Sequence, residues 1–440
     1  MKSTIKRTLI SELRGTLGQT VKVCGLVEKV RDQKKMQFVV LQDRSGSVQL
    51  INEKGLRSDL EKTISSLTTG SAVSVIGKSL ANEQVKLGAI EIVIEDLTVD
   101  SLAQPELPIT DSSGLDAQLN WRFLSLRKAA SLLIFEIETA VQKAMREYWY
   151  ERSFIEIHSP KLMHSASESG AETFSLEYFD LGKAYLAQSP QFYKQMAMAA
   201  GFERVFEIGP VFRAEPSFTA KHATEFTSVD MEMSWINSHE DIMQFEEEWL
   251  AFVLTEIERQ FGSRIKDVFG VEVKIPSLPF PRITMESAYQ LLAQLGHTIP
   301  PATKRGDIDP EGERKLAKLC AEEYGAEFYF LTDYPTSLRP FYHMRNEANP
   351  ALTKSFDLMW KGVEITTGAQ REHRYDILAK QAEEVGLRSS VEYYLDFFKY
   401  GCPPHGGFGT GLSRIVMLLL NAQSIREVTF LHRGPQRLTP

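Results

Sequence analysis

Cysteine is scarce. The 440-residue chain has three, Cys24, Cys320 and Cys402, far apart and without a C-x-x-C pair. That argues against a disulfide framework and against a thiolate zinc site. Three buried thiols in a reducing, cytoplasmic setting are expected instead. Long apolar runs are missing too. The longest aliphatic run is IVMLLL at 415–420, far below the roughly 20 residues that cross a bilayer. The opening MKSTIKRTLISELRG is basic but lacks the apolar stretch of a secretory leader. No membrane partner is expected. Internal repeats and low-complexity tracts are absent as well. Nor is there an excess of positive charge, since the formal net charge is -8. The imbalance is uneven, however. Residues 1–100 carry 15 Lys+Arg against 12 Asp+Glu, and the remainder 35 against 46. A mildly basic front end on an acidic body suits a separate binding module.

The length exceeds one compact core, so two or three domains are expected. Residues 20–100 hold five short β-branched or alternating runs, VKVCGLV, QFVVLQD, SVQLI, AVSVIG and IEIVIED. A helical stretch, LRSDLEKTISSL, lies between the third and fourth. This order predicts an OB-fold barrel, a frequent binder of single-stranded nucleic acid; a small barrel used only for packing fits the pattern equally. SLAQPELPITDSSGLDAQLN, 101–120, has the composition of a linker. Beyond it, helices at 129–150, 241–261 and 389–401 alternate with antiparallel-looking strands, and a less regular insert at 262–335 holds a further helix at 312–325. The expected class is α+β. The expected domains are 1–104, a hinge at 105–124, and 125–440 with the insert.

Three segments carry chemistry. In FRAEPSFTAKHATEF, 212–226, two strands flank a loop, so Arg213, Lys221 and His222 converge on one side. That arrangement grips phosphate, and Phe226 offers a ring face to a base. A solvated mixed-charge hairpin accounts for the same residues equally well. In GGFGTGLSR, Gly406, Gly407, Gly409 and Gly411 precede a helix without the spacing or lysine of a P-loop. The pattern reads as a strand packed tightly under a helix that delivers Arg414. In QSPQFYKQ, Ser189 is a good N-cap and Pro190 fits a first helical turn. Gln191, Lys194 and Gln195 then share one helix face.

These segments resemble the three motifs of class II aminoacyl-tRNA synthetases, within them the aspartyl enzymes of archaeal and eukaryotic type. The helix with FIEIHSP resembles motif 1, FRAE…TAKHATEF motif 2 and GFGTGLSR motif 3. SESGAE, AYLAQSPQFYKQ, FDLMWKGVEITTGAQREHR and YGCPPHGGFG carry the resemblance to the aspartyl branch. It runs nearly from end to end.

The resemblance implies an aspartate–tRNA ligase that uses ATP and Mg²⁺. Arg213 would hold the α-phosphate, and His222, beside Lys221, the γ-phosphate. Phe226 would stack on adenine, with Arg414 on its other face or on the γ-phosphate, and Glu215 would read the adenine edge. Glu364 and Thr367 would hold Mg²⁺. Lys194 and Arg371 would bind the side-chain carboxylate of L-aspartate. Ser167, Glu168, Gln191 and Asp230 would surround its α-ammonium group, and Tyr342 would line that side. Arg213, Arg414 and Glu364 would stabilise the transferring phosphoryl group. In the front domain Phe38 and Gln49 would read the anticodon, with Arg31 and Lys29 on phosphates. A homodimer with Pro160 at its interface is implied. The partner is tRNA-Asp, or both tRNA-Asp and tRNA-Asn.

The chain departs from the family pattern at several points. Ser413 stands where an acidic residue usually precedes Arg414, Lys221 where arginine is usual, Ser169 for glycine, Thr367 for serine, and Leu26 for tryptophan. Lys221 and Thr367 keep the chemistry; Ser413 and Leu26 are less conservative. Rival readings are an ATP-dependent asparagine synthetase on this scaffold, which the front barrel opposes, an asparaginyl-tRNA synthetase, which Lys194 opposes, and a specialised paralogue that forms the adenylate or binds RNA without normal charging.

Overall fold

A computed structural model describes residues 5–164, 173–214, 216, 219–300, 303 and 306–440. The chain divides into two compact units, Met1–Leu132 and Leu133–Pro440.

The first unit is a closed five-stranded barrel. Its strands are β1 (Thr20–Asp32), β2 (Met36–Asp43), β3 (Gly46–Glu53), β4 (Ala72–Ala81) and β5 (Ile90–Ser101), joined in the order β1-β2-β3-β5-β4. Period-2 alternation builds the interior: Val39 and Leu41 of β2, Val48 and Leu50 of β3, and Val73 and Val75 of β4 are all buried. The helix Ser58–Ser65 joins β3 to β4 and contributes Leu60 and Ile64 to the core. Gly25 has a steric reason: a Cβ there would lie 2.2 Å from the Gln42 carbonyl oxygen. The expected linker contains a short helix, Leu115–Asn120.

The second unit is built on an eight-stranded sheet. After the two-residue β6 (Ile155–Glu156), a small sheet is formed by β7 (Leu162–Met163), β8 (Ser175–Glu177) and β9 (Lys183–Leu186). The large sheet continues with β10 (Arg204–Phe212), β11 (Glu225–Ser234), β12 (Arg282–Thr284), β13 (Phe328–Thr332), β14 (Ser355–Trp360), β15 (Val363–Gln370) and β16 (His405–Gly411). Its order is β12-β13-β14-β15-β16-β11-β10-β6. Pairing is antiparallel except at β10–β6 and β12–β13, the two ends. The class is α+β, as expected.

Long helices cover one face. Ala129–Tyr150 and His239–Phe269 bring Trp149 and Trp249 into a stack, ring centroids 5.2 Å apart, and Phe408 of β16 packs on the second ring. The helix His239–Phe269 starts at a capping box in which Ser238 Oγ accepts from Glu240 N and Asp241 accepts from Ser238 N. It runs eight residues into the stretch expected to be an irregular insert. That stretch also supplies β12, β13 and the helices Met285–Gln294 and Pro310–Tyr324. The helix expected over 389–401 reduces to Glu392–Leu395 with a 3₁₀ turn, because Tyr394 and Phe398 are drawn onto Phe192 and His405.

Candidate active site

Strands β11, β16 and β15 form the floor of a cleft. Asp230 and Glu232 of β11 stand two residues apart and so face the same way. Their register partners on β16 are Gly409 and Gly407. A Cβ at Gly407 would lie 2.3 Å from Glu232 Oε2, and one at Gly409 2.8 Å from Asp230 Oδ1. The glycine-rich strand thus leaves room for two buried carboxylates.

Two cations meet them. Lys194, on the helix Gln191–Ala199, is 2% exposed. Its Nζ donates to Asp230 Oδ1 at 3.0 Å and to the carbonyls of Met231 and Phe408, and lies 3.3 Å from Glu232 Oε2. Arg371, which follows β15, donates through Nε to Glu232 Oε1 at 3.0 Å and through Nη2 to the Gly407 carbonyl at 2.9 Å. Burial pushes the Glu232 carboxyl up, but the charges of Arg371 and Lys194 outweigh it and hold it below the usual carboxylate range. Asp230 also accepts from Ser228 Oγ at 2.5 Å. Gln191 donates to Gln195, which contacts His405 and accepts from Tyr394. The helix begins at Gln191 with Pro190 at the cap, one residue after the expected cap; Ser189 Oγ still accepts from Gln191 N at 3.2 Å. Tyr342 is buried, its ring 5.8 Å from the Arg371 guanidinium carbon.

The other end of the cleft carries the phosphate candidates. Arg213 lies two residues past Val211, the register partner of Phe226, so both occupy one face; the guanidinium carbon sits 5.4 Å from the Phe226 ring. The His222 imidazole is bonded to Thr219. Lys221 Nζ lies 3.5 Å from Glu313, whose carboxyl is pushed up by burial. Arg414, on the helix Leu412–Leu419, donates to the carbonyls of Lys221 (3.2 Å) and Glu364 (2.9 Å) and lies 3.6 Å from the Glu364 carboxylate. Thr367 Oγ1 donates to Glu364 Oε1 at 3.3 Å. Arg213, Lys221, His222, Phe226, Glu364, Thr367 and Arg414 line one cavity with Gln191, Asp230 and Arg371. Ser167, Glu168, Ser169 and Glu215 lie outside the described residues.

The sequence reading missed three groups on this cavity or directly beneath it. Glu232 bridges the two cations; its i, i+2 spacing from Asp230 in FTSVDMEM was the available signal. His343 contacts Arg371. Arg339 lines the wall, ion-paired to the buried Asp357 at 2.8 Å. Nothing local in PTSLRPFYHM marked Arg339 or His343.

In the barrel Arg31 and Phe38 are cross-strand partners, and Gln49 is the partner of Val40, two residues further. All three sit together: Arg31 lies 5.3 Å from the Phe38 ring centroid and donates to Gln49 Oε1 at 3.0 Å. Pro160 is exposed.

The model of class II tRNA synthetases (D, K and N) matches residues 114–433, and that of the OB-fold nucleic acid binding domain matches 21–100. The chain is 43% identical over 430 residues to the aspartate–tRNA(Asp) ligase of Pyrococcus abyssi, spanning 96% of this chain and 97% of that one. It is 40% identical over 440 residues to the aspartate–tRNA(Asp/Asn) ligase of Aeropyrum pernix, spanning 98% of each. An aspartyl tRNA synthetase structure from Entamoeba histolytica matches with a TM-score of 0.87 and 31% identity, covering 100% of this chain and 94% of that one. The chain belongs to the class II aminoacyl-tRNA synthetases, in the branch of the aspartate–tRNA ligases, with an OB-fold domain ahead of the catalytic one.

Proposed function

We propose that the chain activates L-aspartate with ATP and transfers it to the 3′-hydroxyl of tRNA-Asp, and that its front barrel reads the anticodon. The observation that carries this reading is one cavity with Arg371, Gln191 and Asp230 at one end and Arg213, Phe226, His222 and Arg414 at the other, while Lys194 lies buried beneath its floor, bonded to Asp230. Arg371 keeps one N–H beyond its bonds to Glu232, Gly407 and His343, and a charge-assisted hydrogen bond from it to a carboxylate is roughly twice as strong as one to a neutral amide, which favours aspartate over asparagine.

Glu364 and Thr367 suit Mg²⁺: a carboxylate and a hydroxyl, 3.3 Å apart on one face of the strand. Among the described residues no cluster of three or more His, Cys, Asp or Glu could hold an ion by itself. The pair therefore matches an ion that takes its other ligands from phosphate and water. When bound, it would neutralise charge on the phosphates.

The aspartate α-carboxylate attacks the α-phosphorus and expels pyrophosphate. Arg213 neutralises the equatorial oxygens, Arg414 and His222 hold the leaving phosphates, and Phe226 fixes the adenine. The terminal 3′-hydroxyl of the tRNA then attacks the mixed anhydride and releases AMP. Unstacked anticodon bases meet Phe38 and the amide of Gln49, with Arg31 beside them. A homodimer through the segment around Pro160 would cover the exposed Ile155 and Leu162. Of the three thiols expected to be buried only Cys320 is, Cys24 and Cys402 being half-buried; all three are free, which suits a reducing cytoplasm, and among the described residues no helix is long and apolar enough to cross a membrane.

The paralogue reading is not favoured, because Arg213, His222, Glu364 and Arg414 all line the cavity. Charging of tRNA-Asp and tRNA-Asn transcripts with labelled aspartate tests the proposal. Charging of tRNA-Asp is expected; charging of tRNA-Asn as well would make the enzyme non-discriminating. Failure of both would overturn the transfer reading.

A further inference from the structure

The environment of Arg371 points to an unassigned partner. Its guanidinium has five N–H donors. Nε goes to Glu232 Oε1, Nη2 to Glu232 Oε2 at 3.4 Å and to the Gly407 carbonyl, and Nη1 to His343 Nε2 at 2.8 Å. Those contacts account for four donors and leave the second Nη1–H. His343 and Arg371 face each other across an isolated antiparallel bridge, so the imidazole is placed by backbone geometry. Gln381 Nε2 donates to the His343 carbonyl at 3.2 Å, and His343 N to the Pro340 carbonyl at 3.1 Å. His343 is 3% exposed and lines the cavity.

An arginine can only donate, so His343 Nε2 must accept and the ring proton must sit on Nδ1. Nδ1 is buried and makes no hydrogen bond among the described residues. We propose that His343 is a positioning residue for amino-acid recognition: as a neutral acceptor it fixes Nη1 of Arg371, so that the remaining N–H is presented to the carboxylate of the substrate. This rests on the reading of Arg371 as a carboxylate-binding group. Burial pushes the His343 imidazole well below its ordinary value, and Arg371, Arg339 and Lys194 push the same way. The Glu232 carboxylate is spent on Arg371 and Lys194. A protonated ring would lose its acceptor and repel the guanidinium, so the neutral form is the working one.

The test is aspartate-dependent ATP–pyrophosphate exchange on the full chain, comparing His343→Leu, His343→Gln and Arg371→Gln. Loss of a hydrogen bond to a charged group predicts that His343→Leu raises the aspartate KM roughly tenfold or more. The ATP KM should stay within about twofold. His343→Gln, which keeps an acceptor, should recover most of the loss. If His343→Leu keeps the parent aspartate KM while Arg371→Gln loses it, the positioning role is overturned and the recognition reading survives. If Arg371→Gln also keeps it, the recognition reading falls and the proposal with it. Should His343→Leu fail to fold, ¹⁵N spectra of histidine-labelled parent protein decide. A neutral Nδ1–H tautomer that persists down to about pH 5.5 is expected; a His343 signal titrating at its ordinary value overturns the proposal.

Discussion

Glu364 and Thr367 are three residues apart on one strand, yet the Thr367 hydroxyl donates to the Glu364 carboxylate at 3.3 Å. In a regular strand residues at that spacing point to opposite faces. Here the register slips: Leu358 pairs with Thr366 but Met359 pairs with Glu364, so a bulge at Ile365 turns both oxygen donors to the cleft. A single extra residue creates the geometry.

If this pair holds Mg²⁺, Thr367→Val should raise the Mg²⁺ concentration for half-maximal pyrophosphate exchange roughly fivefold, and Thr367→Ser should leave it near the parent value. A Mg²⁺ titration of the three proteins checks this. An unchanged curve for Thr367→Val removes the hydroxyl from the site.

Lys194→Met would strip a counter-charge from the buried Asp230 and Glu232. Breaking one partner of a buried pair costs about 3–5 kcal/mol. Aspartate activation should fall by roughly 100-fold or more, with a lower melting temperature. ATP binding, measured by equilibrium dialysis, should persist. Unchanged aspartate turnover would sink the pocket assignment.

Ser413, where family members usually carry an acid, does not loosen Arg414. The guanidinium is held by the carbonyls of Lys221 and Glu364 and by the Glu364 carboxylate, while Ser413 Oγ accepts from Thr429 at 3.4 Å. Ser413→Asp should therefore leave kcat and the ATP KM within about twofold. An order-of-magnitude gain in steady-state kinetics would show that position 413 does restrain the arginine.

Glu246 lies fully buried in the apolar stripe of the helix His239–Phe269. Burial pushes its carboxyl up to about 8, Asp357 and Glu247 add repulsion, and the Thr366 hydroxyl offsets part. The folded state therefore keeps a proton that the unfolded chain releases at the ordinary value of 4.5. The stability linked to this proton is complete below 4.5 and is lost as pH rises towards 8. Glu246→Gln should raise the melting temperature more at pH 8 than at pH 5. Equal gains at both values, measured by thermal denaturation, would contradict a protonated Glu246.

The fold and much of the cleft were legible in local patterns. Alternation in VKVCGLV through IEIVIED marked the barrel strands, and helical spacing marked Ala129–Tyr150 and most of His239–Phe269. The motif-bearing segments pointed to Arg213, His222, Phe226, Glu364, Thr367 and Arg414, which line one cavity. Element ends were less legible. The Pro190 cap and the shortened helix at Glu392–Leu395 depend on packing partners hundreds of residues away or on single-residue choices at a terminus.

By itself the sequence determined the α+β class, the barrel ahead of the catalytic domain, and the residue types proposed to meet ATP and aspartate. Only the tertiary structure decided that Glu232 bridges Lys194 and Arg371, that His343 sits opposite Arg371, and that Asp357 pairs with Arg339. The reason is physical. Periodicity is a local property of the chain, whereas a buried charge network is set by sheet order and register, which bring β11, β15 and β16 side by side from distant parts of the sequence.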